Sequence, residues 1–444
     1  MHGICRVIIL LTFTLLWSVS AFAAPADQSQ LIKVGLWDNQ QSVLISADSD
    51  FVLVGKNNEQ AARFAAKEKV AVAMKAGQLT INGQQVKSPE LSVQPVEKKA
   101  NFVIEVNKRR YWGKITLRIS TRQSGVTVIN TIDIEQYLYG IVAREISPDW
   151  PLEAIKAQAV AARSYALHNL KKHRDDGYDV CATTDCQVYS GIDKEAARST
   201  QAVNETRGLV LRFDGQIIPA FFHSSSGGFT ENSENVWGTA LPYIRGVIDY
   251  DQQSPHFRWS KEITPQELDT LLAKAGYSIG NLQAVTVSDL GKPPISSSDR
   301  GISGRVKSIG FTGAKGSVLL TGNRLRSLLG LNSTLFDVKI ITPAPAAIDV
   351  PITDAFGDKG KKKIEINVKP MEQTGYLMDQ SRIHRITGRN QEKIVFSGYG
   401  WGHGLGLSQW GAKAMADKAP AGDTTYFRQI LKHYYQGVDI VKLY

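Results

Sequence analysis

Residues 152–172 read LEAIKAQAVAARSYALHNLKK, and this stretch decides the fold. It is rich in Ala, Leu, Lys, Gln and Glu and has no interior Gly or Pro, so its intrinsic preference is helical. Leu152, Ile155, Ala159, Ala162, Ala166 and Leu170 fall on one stripe at helical spacing. Just upstream, Ser147-Pro148-Asp149-Trp150-Pro151 breaks the chain and supplies a helix start. The spacing predicts a helix over 152–172. Its many alanines predict very close packing against a sheet or a second helix.

Working outward, the chain before this helix reads as short strands. Leu31–Trp37, Ser42–Ala47, Phe51–Gly55, Gln78–Ile81, Phe102–Val106 and Ile115–Ile119 carry β-branched or alternating apolar residues between Gly, Asn, Asp and Lys. Asn82-Gly83 suits a hairpin turn. A last strand is expected near Gly125–Ile134 and a short helix over Tyr137–Ala143. Beyond the long helix, Gly208–Phe213 and Gln216–Phe222 read as a hairpin around Asp214-Gly215. Helices are expected over Thr264–Lys274 and Asn323–Leu329, with strands near Ala284–Val287 and Arg305–Thr312. Prolines 343, 345 and 351 followed by Lys359 and Lys361–Lys363 mark a composition break. The expected organisation is a leader over 1–23, a β-rich core over 31–340 and an insertion or small β-unit over 341–392. A C-terminal part of the core, with two helical pieces, follows over 393–444. The fold class is α+β, a β-rich scaffold around one long Ala-rich helix with a Gly-rich C-terminal cleft segment.

The 444 residues hold 52 Lys plus Arg against 42 Asp plus Glu, a net charge of +10. Hydrophobic residues at 43% and charged residues at 21% exclude a disordered or multi-spanning chain. Val7–Leu16 is almost wholly apolar after Arg6, and Ala21-Phe22-Ala23 places small residues where signal peptidase needs them. Removing 1–23 leaves +9 and two cysteines. No later segment reaches 18 apolar residues, so an exported chain without stable membrane insertion is expected. Outside the cytoplasm nucleic acid is not an expected partner. An anionic wall polymer or membrane surface is.

Four clusters could carry chemistry. Glu145 lies among Ile141, Val142 and Ile146 at a helix end, where burial would raise its pKa and suit a general acid. An ion pair with Arg144 or Arg163 is the plain alternative. Residues 398–411, GYGWGHGLGLSQWG, place glycine at alternate positions, which bares one side of the backbone for close approach. Trp401, His403, Gln409 and Trp410 could then line a cleft suited to sugar rings, and steric packing of a hairpin is the alternative. His223-Ser224-Ser225-Ser226-Gly227-Gly228 sets hydroxyls beside an imidazole but has no nucleophile elbow, so a site-shaping loop is expected rather than a serine nucleophile. Cys181 and Cys186 in an exported chain read as a disulfide. A zinc site would need further ligands, for which His168, His173 and His223 are available.

Three separated segments then agree. Ala143-Arg144-Glu145-Ile146 with LEAIKAQAVAARSY (152–165) resembles the signature of the stage II sporulation protein D family, which includes amidase enhancers. FFHSSSGG (221–228) with Trp237-Gly238 and Pro242-Tyr243 is similar to its second block, and GHGLGLSQWGA (402–412) to its third. The resemblance runs from Ile32 to Lys442 with 341–392 excluded. It implies a peptidoglycan lytic transglycosylase with Glu145 as the single general acid/base. It also implies glycan strands as substrate, peptide-stripped strands among them, and no required cofactor. The expected substrate-contacting set is Arg163, His223, Ser224, Ser225, Ser226, Trp401, His403, Ser408 and Gln409. The family also implies an alternative, a non-catalytic wall-binding activator of an N-acetylmuramoyl-L-alanine amidase. Some members have a His just before the second cysteine and resemble zinc binders. Asp185 stands there in this chain, which favours the disulfide over zinc at Cys181 and Cys186.

Overall fold

The computed structural model describes residues 30–121, 124–295, 297–342, 347–354, 357–365, 371–372, 382–388 and 391–444. The expected leader over 1–23 lies outside them. Eight α-helices occur among the described residues: α1 (Ile134–Glu145), α2 (Leu152–His168), α3 (Ala197–Glu205), α4 (Ser233–Trp237), α5 (Pro265–Lys274), α6 (Gly322–Leu329), α7 (Gln409–Ala416) and α8 (Phe427–Tyr434). With the strands they make the expected β-rich α+β fold. None of these helices is long and apolar enough to cross a membrane.

Two hydrophobic cores form. The first begins with a seven-stranded sheet, ordered 180–181, 31–40, 126–133, 114–119, 90–95, 51–55, 60–64, and a six-stranded sheet centred on 42–47 and 70–75. Alternation sets the inward faces: Ile32, Val34 and Leu36 of one strand are buried while Leu31 and Lys33 are exposed. Asn82 and Gly83 both take positive φ, 48° and 85°, and close the expected hairpin. Strands 70–75 and 90–95 were not expected.

Helix α2 is the hub of this core. Every residue from Glu153 to Ser164 is buried, so the helix is enclosed rather than striped. Its alanines let α1, α3, α7, α8 and the strand Leu209–Phe213 pack against it from several sides. It ends at His168, four residues before the expected Lys172, because the Asn169 side chain and N–H both bond back to Tyr165 O. Helix α1 runs longer than expected at both ends. Asp133 accepts N–H bonds from Glu135 and Gln136 and caps it, which leaves Glu145 as its last residue.

The second core is built from 258–396. Strand Lys393–Tyr399 pairs antiparallel with both Arg258–Ile263 and Phe336–Thr342. The expected boundaries near 340 and 393 therefore fall at two adjacent strands of one sheet. Between them, strands Ala347–Asp354 and Gly357–Glu365 form a hairpin, and Ile383–Arg385 joins the sheet that holds Leu282–Thr286. After Tyr399 the chain returns to the first core, where Leu405, Leu407, Ala412, Ile430 and Leu431 are buried.

Candidate active site

Glu145 ends α1, where the helix's carbonyl pole disfavours a carboxylate. Burial raises its pKa above the ordinary 4.5, and a hydrogen bond from the Gln409 side chain opposes that rise. Gln409 starts α7 and donates also to Gln158 Oε1 at 3.4 Å, so the amide is tethered to α2. The loop after Glu145 is fixed by α3, because Arg198 donates to Pro148 O at 2.9 Å and to Trp150 O at 3.0 Å. Trp150 then meets the next residue of α7, Trp410, edge to face at 4.7 Å. A protonatable carboxyl, two amides and two indoles thus come from two distant parts of the sequence, 145–158 and 409–410.

The second and third sequence blocks join behind it. Phe222-His223 pairs in parallel with Leu407-Ser408. Trp410 N–H donates to Ser224 O at 3.1 Å, and Ser225 and Trp401 exchange backbone bonds at 3.1 and 2.8 Å. The 223–230 loop and the 400–411 segment therefore meet, and Gln409 links them to Glu145.

Several expected substrate contacts do other work. Arg163 is fully buried and holds Glu135 through two bonds, 2.9 and 2.6 Å, while donating also to Leu209 O and Val203 O. It ties α1, α2, α3 and the following strand together and is a structural ion pair, not a ligand for sugar. Ser225 and Ser226 are fully buried, with hydroxyls donating to Asp251 and Asp249 at 2.5 Å each. Ser408 caps α7 by accepting from Gly411 N–H. His223 is buried, donates from Nδ1 to Leu405 O at 3.1 Å and leaves Nε2 without a partner. Burial holds it neutral, and His403 is pushed down to about 3 by burial and then by the nearby Arg305 guanidinium. His403 Nδ1 accepts from Leu405 N–H at 3.0 Å, which puts its proton on Nε2. Of the expected set, Trp401 remains open to solvent, 43% exposed, with His256 against it at 4.4 Å.

Sequence reasoning missed the residues that brace these loops. The Asp251 carboxylate accepts from Ser225 and from the N–H groups of Gly227 and Gly228. Arg305, fully buried, donates to Ser226 O at 2.8 Å and Gly402 O at 3.2 Å and so bolts one block to the other. A Cβ on Gly404 (φ 81°) would lie 2.1 Å from Arg305 Nε. The close approach that the alternating glycines allow is, at this position, that of a protein side chain. Glu231, also fully buried, accepts from Ile302 and Ser303 N–H and fixes the Arg305 loop.

The expected disulfide is not formed. Cys181 and Cys186 are free buried thiols, with Cys181 N–H donating to Cys186 Sγ at 3.3 Å. Their ligand atoms lie with those of His173 and Asp185 within 4.8 Å of one another. Two thiols, an imidazole and a carboxylate fit a four-coordinate zinc ion. His173 thus supplies the imidazole that position 185 lacks, Asp185 adds a carboxylate, and Lys172 sits 2.9 Å from Asp185.

Fold and site define a two-core α+β protein with a half-buried carboxyl at a helix end, held by an amide from the third sequence block. The chain belongs to the stage II sporulation protein D family. The family model described as "Stage II sporulation protein" matches residues 122–213, which hold Glu145 and α2. A model of a domain of unknown function matches 242–350, which holds Arg305. An uncharacterized protein of Brachyspira hyodysenteriae is 30% identical over 337 residues, covering 76% of this chain and 73% of that protein. The stage II sporulation protein D of Bacillus subtilis is 27% identical over 328 residues, 70% of this chain and 75% of that one. The amidase enhancer of Bacillus subtilis is 27% identical over 380 residues, 82% of this chain. The match spans 49% of the enhancer's own length.

Proposed function

We propose that this chain is an exported cell-wall enzyme that cleaves peptidoglycan glycan strands as a lytic transglycosylase, with Glu145 as its one general acid/base. The observation that carries the reading is Glu145 itself, a carboxyl kept protonatable by burial and hydrogen-bonded by Gln409, whose neighbour Trp410 packs on Trp150. Protonated Glu145 donates to the glycosidic oxygen as the bond to C1 of N-acetylmuramic acid breaks. The resulting carboxylate then takes the proton of that sugar's C6 hydroxyl as its oxygen closes on C1. The product is a 1,6-anhydro end, and the carboxyl is regenerated protonated. No water is consumed, so no second carboxylate need be placed as in hydrolysis. Asp249 and Asp251, the buried acids braced against the second block, are committed to Ser226 and Ser225. General acid/base catalysis of this kind is worth roughly 10²–10⁴-fold. A zinc ion, if held by His173, Cys181, Asp185 and Cys186, would act as a structural staple.

A second reading is supported by the amidase enhancer, similar over 82% of this chain: a wall-binding activator of an amidase that does no chemistry. Product analysis on purified glycan strands separates the two. Release of anhydro-muramyl ends by the native chain and not by Glu145→Gln supports the lyase. No product from either, with amidase stimulation by both, overturns it.

A further inference from the structure

Gln158 stands in the middle of α2, fully buried among Ala157, Ala159, Ala161 and Ala162 of the same enclosed helix. A glutamine in such a place loses the hydration of its amide and the freedom of a long side chain, so it needs partners. Only one half of the amide finds one. Its Oε1 accepts from Gln409 Nε2 at 3.4 Å, while its own Nε2 meets no acceptor among the described residues.

The orientation of one amide dictates that of the other. Gln409 is itself buried and lies in the first turn of α7, whose start is capped by Ser408 and whose next residue, Trp410, packs on Trp150. The amide nitrogen of Gln409 carries two N–H groups. One goes to Gln158 Oε1 and the other serves the Glu145 carboxyl. Turning the Gln158 amide over would set two N–H donors against each other. Turning Gln409 over as well would aim its oxygen at Glu145, and an oxygen there repels a carboxylate. The unpaired N–H of Gln158 is therefore tolerated because the opposite end of the same amide keeps a donor on Glu145.

We propose that Gln158 is a positioning residue: it holds the Gln409 amide with its N–H edge on Glu145, so that the carboxylate formed after proton donation meets a fixed donor. Gln158 has no exposed surface, touches no substrate and acts only through Gln409. The role rests on the acid/base reading of Glu145 above. It extends the site from the helix end that carries the acid into the centre of the first core.

The test measures unfolding of the full chain against its Glu145→Gln partner from pH 4 to pH 9, in four backgrounds: native, Gln158→Met, Gln409→Met and the double variant. Within each pair the stability gap opens near the ordinary carboxyl value and levels off at the pKa of Glu145 in the folded chain. Gln158→Met keeps the side-chain length and deletes both ends of the amide. Its gap should level off about 0.5 pH higher than in the native background, and that of Gln409→Met at least as high. The double variant should level off where Gln409→Met does, because Gln158 then has nothing to act through. Gln158→Leu repeats the test with a second shape. A levelling-off point that neither Gln158 variant moves, or a further rise in the double variant, overturns the role. Failure of both Gln158 variants to fold overturns it too and makes Gln158 a packing residue. No turnover is read, so absence of anhydro products would sink the lyase and leave the positioning role standing. Anhydro products from the native chain with an unmoved levelling-off point would do the reverse.

Discussion

Replacing Glu145 by Gln should make the protein more stable, and only above a definite pH. Burial holds the Glu145 carboxyl above its ordinary 4.5. The folded chain then binds that proton more tightly than the unfolded chain does, so stability falls as pH rises from the ordinary value to the folded one. Above the folded value the whole cost is present. Each pK unit corresponds to about 1.4 kcal/mol. Gln keeps the shape and the neighbourhood of Gln409 but cannot ionise. The two proteins should be equally stable near pH 4 and below, where both side chains are neutral. At pH 7–8 the variant should melt higher, each kcal/mol of difference appearing as roughly 2–4 °C for a domain-sized unit.

Gln409 supplies an internal check, since its hydrogen bond lowers the Glu145 pKa. Gln409→Met should cost about 1.5–3 kcal/mol while Glu145 is charged, and about 0.5–1.5 kcal/mol in the Glu145→Gln background. The coupling of about 1 kcal/mol should vanish at pH 4. Thermal melts of the four proteins across pH 4–8 measure all of this. A variant no more stable than the native chain at pH 8, or a difference that ignores pH, would refute the claim that partial burial holds Glu145 protonatable.

Arg163→Met leaves Glu135 buried without its partner and should cost about 3–5 kcal/mol in chemical denaturation, while Glu135→Gln in the same chain recovers part of it. Product formation per folded molecule should be unchanged, and a selective loss of activity would return Arg163 to the substrate. Arg305→Met should speed hydrogen exchange at 224–227 and 400–404 while α2 stays protected, and raise the His403 pKa by removing the nearby guanidinium. Arg305→Lys should not rescue, because one ammonium cannot reproduce the fork that reaches both carbonyls. The purified chain should bind about one zinc or cobalt ion, and cobalt should give thiolate charge-transfer absorption that Cys181→Ser reduces and loss of both cysteines abolishes. Absence of metal together with absence of titratable thiols would instead establish the disulfide.

The sequence makes α2 legible because its signal is local: strong helix formers, no breaker, and two prolines before it. The strand Val70–Lys75 was illegible for the opposite reason, since Ala71 and Ala73 alternate with Val and Met and give little β preference. Glu145 could be singled out because its apolar neighbours are adjacent in sequence. Its modulator Gln409 stands 264 positions away, and the alternating glycines mark it as lining a cleft without tying it to Glu145. The serines of the second block read as a site-shaping loop in contact with substrate, because their acceptors Asp249 and Asp251 lie more than 20 positions downstream. Arg163 was weighed as a partner for Glu145, yet it faces Glu135 near the other end of α1. Which of two acids on one helix takes a buried arginine depends on packing that spacing alone does not encode.

The energetics of Glu145 bear on the choice between enzyme and activator. A surface that only holds glycan needs hydrogen-bond donors, acceptors and aromatic faces, and a neutral amide at 145 would supply the first two without a titrating charge. A carboxyl at the end of a helix, where burial and the helix pole both oppose its charge, costs stability at neutral pH. A binder gains nothing from that cost, whereas a proton donor that must also accept a proton requires it. The same substitution therefore tests both halves of the argument. An activator should tolerate Glu145→Gln with full amidase stimulation and higher stability, and a lyase should gain the stability while losing its product.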